Sequence, residues 1–148
     1  MSFWQALRIG SSGLTAQRLR LDLISNNIAN AQTTHTAKGG PYQRQDVIFM
    51  PEGENAAVAQ SLEARREGLN ILQGGVRVAQ ITTDTEAGPR VYDPTNPDAD
   101  ANGYVDYPNV DVVVEMTNML SATRSYEANL ASIEAVKRMA LKALEIGK

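Results

Sequence analysis

Apolar and small residues recur at both ends of the chain at alternating steps of three and four. Near the amino terminus the row is Phe3, Leu7, Gly10, Leu14, Gln17, Leu21, Ile24, Ile28 and Ala31. Near the carboxyl terminus it is Met116, Met119, Thr123, Tyr126, Leu130, Ile133, Lys137, Ala140 and Leu144. A mean step of about 3.5 residues holds one seam of a helix against a partner helix. We therefore predict two long helices, over about 2–31 and 112–146, that pack against other helices.

The large side chains of both rows form the predicted assembly seam. Its members are Leu7, Leu14, Leu21, Ile24, Ile28, Met116, Met119, Tyr126, Leu130, Ile133 and Leu144. Gly10 and Gly13 weaken the first helix locally, each by about 1 kcal/mol relative to Ala. Small residues on a seam also let two helix backbones approach closely.

The middle of the chain alternates with period two and contains frequent turn residues. Val76, Val78 and Ile81 mark a clear strand after a Gly-Gly pair, and residues 42–50 and 90–92 also suit extended chain. Residues 54–68 lack apolar anchors and predict a loop or a brief helix. The expected fold is α+β, with an antiparallel coiled coil of the terminal helices (1–31 and 109–148) and a small β-rich module between them (32–108).

An irregular segment over 93–108 leads into the second helix. Asn102-Gly103 is a strong turn signal that can close a hairpin with the strand residues after it. Asn109 or Asp111 can cap the helix, and Asp111 and Glu115 place negative charge in its first turn, which favours the helix dipole.

Composition narrows the function classes. The 148 residues carry 14 basic and 17 acidic side chains, for a net charge of −3, so nothing indicates nucleic acid or an anionic membrane as partner. Arg8, Arg18 and Arg20 favour a solvated or interfacial role. Aromatic residues make up only 5% and the single Trp is Trp4, which suggests a thin core suited to assembly. The absence of cysteine excludes disulfides and thiolate chemistry.

The beginning of the chain shows no cleavable secretory signal, and no apolar run approaches the length of a membrane span. The chain is therefore expected to use another export route or to stay in the cytosol.

The most tempting ion site is the run Asp98-Ala-Asp100-Ala-Asn102-Gly103, which matches the opening of a calcium-binding EF-hand loop. The twelfth position, which should hold a bidentate glutamate, is Asn109. Pro94 and Pro97 also exclude the incoming helix. An acidic loop without a functional ion is the favoured interpretation.

No residue pattern indicates catalysis. His35 is the single histidine and has threonines on both sides, so neither a zinc site nor an oriented general base is indicated. Ser11-Ser12-Gly13 lacks the strand-turn-helix context of a nucleophile. We predict a protein without catalytic residues, cofactor or metal.

Two passages resemble one family. The run Asn26-Asn27-Ile28-Ala29-Asn30, which ends the first helix, resembles the amino-terminal signature of the flagellar axial proteins of rod and hook. The second passage, which runs over residues 93–129 into the last helix, is similar to the proximal rod subunits of that family. The family-motif residues are Asn26, Asn27, Ile28, Ala29, Asn30, Asp93, Pro94, Pro97, Asp98, Gly103, Tyr104, Pro108 and Asn109.

The resemblance implies a structural subunit of the bacterial flagellar proximal rod. Such a subunit would leave the cytoplasm through the flagellar type III export apparatus without a cleaved signal peptide, and would transmit torque across the periplasm. Its implied partners are copies of itself, rod proteins of the FlgB, FlgF and FlgG types, the rod-base adaptor FliE and the membrane ring. A cytosolic coiled-coil adaptor or secretion chaperone, and a calcium-responsive binding module, remain as alternatives.

Overall fold

The computed structural model describes residues 3–52 and 74–146. In chain order the elements are α1 (Phe3–Ala29), β1 (Gln45–Pro51), β2 (Val76–Thr83), β3 (Arg90–Tyr92), β4 (Tyr104–Asp106) and α2 (Val112–Ile146). Long helices and short antiparallel sheets confirm the predicted α+β class. The segment predicted as a loop or brief helix over 54–68 lies outside the described residues. Within the described residues, neither helix is long and apolar enough to cross a membrane.

Asp111 sets the beginning of α2. Its carboxylate accepts hydrogen bonds from the backbone N–H groups of Val113 at 2.8 Å and Val114 at 3.2 Å, which satisfies two donors that the first turn leaves free. Asn109, the other predicted cap, instead donates to the Asp84 carboxylate at 3.4 Å. Of the two predicted caps, Asp111 is therefore the one that caps the helix.

The strands form two antiparallel pairs. The N–H of Glu52 donates to the carbonyl of Gly75 at 2.9 Å, and the N–H of Asp84 donates to the carbonyl of Arg44 at 2.8 Å, at the two ends of the β1–β2 pair. In the second pair Tyr92 of β3 lies opposite Tyr104 of β4. The Asn102-Gly103 turn precedes β4 as predicted, but the partner of β4 is β3, so residues 93–103 connect the hairpin.

The chain divides into two compact units. Unit 1 contains residues 1–18, 48–80 and 123–148, and unit 2 contains residues 19–47 and 81–122. In unit 1 α1 approaches α2 through its glycines. A Cβ placed on Gly10 would lie 2.6 Å from Ile133, and one on Gly13 would lie 2.8 Å from the Asn129 amide. A larger residue at either glycine would therefore require the facing side chain, Ile133 or Asn129, to move.

The closed core among the described residues lies mostly in unit 2. Its buried apolar side chains are Leu23, Ile24, Val105 and Ala122, whereas unit 1 buries Ala16. Two polar side chains, Asn27 and Glu115, are buried in unit 2 as completely as any of these.

Outside this core the described residues leave much apolar surface in water. Eighteen large apolar side chains are exposed, compared with five buried apolar residues. Of the predicted seam, Ile24 is buried, Leu7, Leu14, Leu21, Ile28, Met119, Tyr126 and Ile133 are half-buried, and Met116, Leu130 and Leu144 are exposed. Soluble monomers rarely expose large continuous apolar surfaces unless these surfaces bind something.

Candidate functional site

Asn27 lies at the centre of a buried polar cluster in unit 2. Its amide nitrogen donates to the carbonyl of Gln45 at 2.8 Å and to the Glu115 carboxylate at 3.0 Å. Its amide oxygen accepts from the N–H of Gln45 and from the Tyr42 hydroxyl, both at 2.9 Å. A primary amide has two donors and two acceptor positions. All four are used here, and two of them bind both backbone groups of the residue that begins β1.

Glu115 brings a negative charge into the same cluster. Only 1% of its surface is exposed. One carboxylate oxygen accepts from Asn27, and the other accepts from the Arg44 guanidinium at 2.9 Å. A buried carboxylate is tolerated when it is paired and hydrogen-bonded, because its desolvation is then offset. Glu115, predicted only as a charge that favours the helix dipole, therefore holds the first turn of α2 in place.

The neighbours of the carboxylate have fixed protonation states. Burial raises the pKa of Tyr42, and the negative charge of Glu115 raises it further, so the hydroxyl keeps the proton that it donates to Asn27. Burial lowers the pKa of Arg44, but the hydrogen bond and the charge of Glu115 outweigh it and leave the pKa above its ordinary value. Both groups act as permanent donors at neutral pH.

The cluster joins three elements of unit 2. Asn27 belongs to the last turns of α1, Arg44 directly precedes β1, and Glu115 lies in the first turn of α2. The bond between Asn27 and Glu115 spans 88 positions of sequence. Because the amide of Asn27 has no free donor or acceptor left, this arrangement is suited to fixing the fold and not to binding a substrate.

Of the other asparagines in the family motif, Asn30 makes its side-chain contacts at the end of α1, whereas Asn109 contacts Asp84 as described above. The Asn30 side chain donates to the carbonyl of Asn26 at 2.9 Å and accepts from the Thr33 hydroxyl at 3.2 Å. Asn26 itself is exposed, Ile28 is half-buried and Ala29 is exposed. Only Asn27 among the motif asparagines is buried.

The carboxylates of the acidic loop accept hydrogen bonds from the loop itself and, at Asp98, from the segment after α1. Asp98 accepts from the Thr34 hydroxyl at 2.6 Å, and Asp93 accepts from the Thr95 hydroxyl at 2.6 Å. Asp100 accepts from the N–H of Tyr104 at 2.9 Å and pairs with Arg90. Hydrogen bonding from the Tyr104 backbone is the main cause that lowers the pKa of Asp100. Among the described residues, no group of three or more His, Cys, Asp or Glu side chains could hold a metal ion.

The hairpin and the segment after it use the remaining motif residues. Tyr104 packs edge-to-face on Tyr92 at 5.2 Å. Gly103 has a φ of +80° and a Cβ there would lie 3.2 Å from Pro94, so this turn requires glycine. Pro97 is exposed and Pro108 is buried.

Comparisons with known proteins identify the class of protein to which this chain is similar. The family model described as "Flagella basal body rod protein" matches residues 7–35. The model described as "Flagellar basal body rod FlgEFG protein C-terminal" matches residues 101–146. Both helices therefore carry the features of flagellar basal-body rod proteins.

Curated relatives narrow the class to one family. "Flagellar basal-body rod protein FlgC" of Bacillus subtilis is 43% identical over 152 residues, with the whole of both chains covered. The protein of the same name in Borreliella burgdorferi is 44% identical over 99% of this chain and 98% of its own length. That of Salmonella typhimurium is 40% identical over the whole of both chains. The chain belongs to the FlgC family and is a structural subunit of the flagellar basal-body rod.

Sequence reasoning missed the buried cluster. The family motif contains Asn27 and the first helix turn contains Glu115, but no sequence pattern around Tyr42 or Arg44 indicates a buried polar cluster. One signal was available: Glu115 stands beside Val112, Val113, Val114 and Met116, and a lone acid in such an apolar turn is unusual on a solvated face.

Proposed function

We propose that this chain assembles with copies of itself and with other rod proteins through the apolar faces of its two helices, and that the assembly transmits torque across the periplasm. The observation that carries the proposal is the apolar surface that the described residues leave exposed. Val113, Met116 and Leu144 are 72%, 60% and 71% exposed. At about 25 cal/mol per Å² of apolar surface, covering such side chains gives a strong drive to associate.

We propose further that the terminal helices pair as an antiparallel coiled coil and that the chain divides at 1–31, 32–108 and 109–148. The contacts in unit 1 support an antiparallel direction, because Gly10 faces Ile133 while Gly13 faces Asn129. Residue numbers therefore increase along α1 in the direction in which they decrease along α2. The half-buried state of Leu7, Leu14 and Ile133 is consistent with a seam between these helices.

Membership of a basal-body rod family supports a more specific proposal for the place of the chain in the flagellum. We propose the proximal rod as its position, with the FlgB, FlgF and FlgG types as rod neighbours and FliE and the membrane ring at its base. The flagellar type III apparatus is the proposed export route, without a cleaved signal peptide. An unfolded chain without disulfides suits passage through a narrow channel, and ordering entropy is offset when neighbours cover the helices.

The proposed coupling between helix ordering and assembly can be tested on the isolated chain in solution. The purified monomer is expected to show substantially less helix by far-ultraviolet circular dichroism than the chain in assembled rods, because Ala16 is the single apolar side chain that is fully buried among the described residues of unit 1. A monomer that is fully helical and melts cooperatively would contradict this coupling.

Substitution of the seam tests the function in cells. Leu21→Asp combined with Ile133→Asp is expected to abolish incorporation into basal bodies and motility, because two charges then replace half-buried aliphatic contacts. Expression of the double variant should stay normal. Leu21→Met combined with Ile133→Val, which keeps both positions apolar, should support motility. Normal swimming of the Asp variant would refute assembly through this seam.

A further inference from the structure

One face of α1 in unit 1 carries two arginines with short hydroxyl side chains between them. Arg8, Ser11, Thr15 and Arg18 follow at steps of three and four, and all four are exposed. The Ser11 hydroxyl donates to the carbonyl of Arg8 at 3.0 Å and the Thr15 hydroxyl donates to the carbonyl of Ser11 at 3.1 Å. Because both donors are used inside the helix, another chain can cover this face without leaving them unsatisfied.

One face of α2 in the same unit has the opposite character. Glu127, Leu130 and Glu134 lie at steps of three and four, and all three are exposed. The Leu130 side chain is 42% exposed, whereas the preceding residue of α2, Asn129, is half-buried. The face is an aliphatic side chain between two carboxylates.

The charges on both faces make few contacts with the other described residues. Among the described residues, Arg8, Arg18 and Glu127 take part in no ion pair. Glu134 reaches Arg138 only at 3.9 Å, with both side chains largely exposed. Such an exposed pair contributes little to stability, so no strong ion pair among the described residues competes with a partner for these four charges.

The two faces also match in length. At 1.5 Å per residue, the midpoint between Ser11 and Thr15 lies about 7.5 Å along the axis from each arginine. By the same rise, Leu130 lies about 4.5 Å from Glu127 and about 6 Å from Glu134. The difference of a few ångströms is within the reach of an arginine side chain. Both faces are nearly symmetric about their centres, so they fit with the helices parallel or antiparallel.

We propose that the Glu127–Leu130–Glu134 face of one copy docks on the Arg8–Ser11–Thr15–Arg18 face of a second copy. Leu130 then covers Ser11 and Thr15, and each glutamate pairs with one arginine. The inference rests on the proposed function and specifies which faces meet. Because the two surfaces are different, a bound pair still has one free face of each kind, one on each copy, and the contact can continue from copy to copy.

Crosslinking in the assembled rod tests this pairing, since the chain contains no cysteine. Two tagged versions, one with Thr15→Cys and one with Leu130→Cys, are produced together in a strain without its own copy, and isolated basal bodies are oxidised. The expected product is a disulfide-linked dimer that carries both tags. Ser132→Cys in place of Leu130→Cys is the matched control, because Ser132 is also exposed but lies on the opposite side of α2.

Charge reversal gives a second readout. Arg8→Glu combined with Arg18→Glu in the Thr15→Cys version is expected to lower the dimer yield by about tenfold or more, because like charges then face each other. Glu127→Arg combined with Glu134→Arg in the Leu130→Cys version should restore the yield.

The outcomes separate the two proposals. Basal bodies that contain the chain but give no more 15–130 dimer than 15–132 dimer would overturn the pairing and leave the proposed function intact. So would a yield that is indifferent to charge reversal. Absence of the unsubstituted chain from isolated basal bodies would refute the proposed function and the pairing with it.

Discussion

Asn27→Asp should destabilise unit 2 by about 3–5 kcal/mol, although it changes only one NH₂ group to oxygen. The amide nitrogen of Asn27 donates to the Glu115 carboxylate at 3.0 Å and to the Gln45 carbonyl at 2.8 Å. A carboxylate at position 27 would place acceptors against acceptors, and would bring a second negative charge beside a side chain that is 1% exposed. The expected result is faster hydrogen exchange at the Gln45 amide, together with a lower urea midpoint.

Asn26→Asp is the matched control for this prediction. It adds the same charge one residue earlier in the same motif, but Asn26 is exposed. Its cost should stay within about 0.5 kcal/mol, as for most surface substitutions. Glu115 should also raise the pKa of the introduced carboxyl at position 27, so the folded state binds more protons and part of the loss should be recovered as the pH falls. Equal effects of the two variants would show that the cluster does not hold unit 2 together.

The sequence was sufficient for the helices because their signals are local. The seam spacing predicted α2 over 112–146, and α2 spans Val112–Ile146. Asp111 was one of two possible caps, and its carboxylate does cap the helix. Strands were harder: β1 begins at Gln45 instead of residue 42, because the turn before it pairs Tyr42 with Thr33 through the backbone at 3.0 Å.

The covered face of α2 could not be predicted from spacing alone. Steps of three and four through Met116 and Leu130 describe one face, but the same steps through Glu115, Ala122 and Asn129 describe the neighbouring one. Hydrophobicity favours the first face, yet Glu115 and Ala122 are the buried residues. The hydrogen bond between Asn27 and Glu115 places polar side chains at positions that apolar side chains usually occupy. The two residues are 88 positions apart, so no local sequence pattern indicates this bond. The apolar side chains Met116 and Leu130 then remain exposed, and these are the surfaces through which we propose that the chain assembles.

Gly88→Ala is expected to be the most disruptive methyl group that can be added to unit 2. A Cβ at Gly88 would overlap the carbonyl oxygen of Tyr107 and would lie 2.6 Å from the carbonyl carbon of Pro108 and 2.8 Å from the nitrogen of Asn109. These are backbone atoms, so no side-chain rotation can relieve the overlap. We expect a loss of about 3–5 kcal/mol, at or above the upper end of overpacking effects.

Hydrogen exchange at the backbone N–H of Tyr107 measures the effect of Gly88→Ala. The N–H of Tyr107 donates to the carbonyl of Pro89 at 3.0 Å and extends the β3–β4 pairing. Its exchange rate should rise strongly in the variant, and the chain should be lost from basal bodies.

Gly39→Ala is the control: Gly39 has a φ of +85° but nothing within 4 Å of a new Cβ, so the variant should lose only about 1 kcal/mol through backbone strain. Because Pro108 and Asn109 lead directly into Asp111 and α2, separating this backbone contact should also shift the helix beginning that carries Glu115. An unchanged Tyr107 exchange rate in Gly88→Ala would contradict both the contact and this coupling.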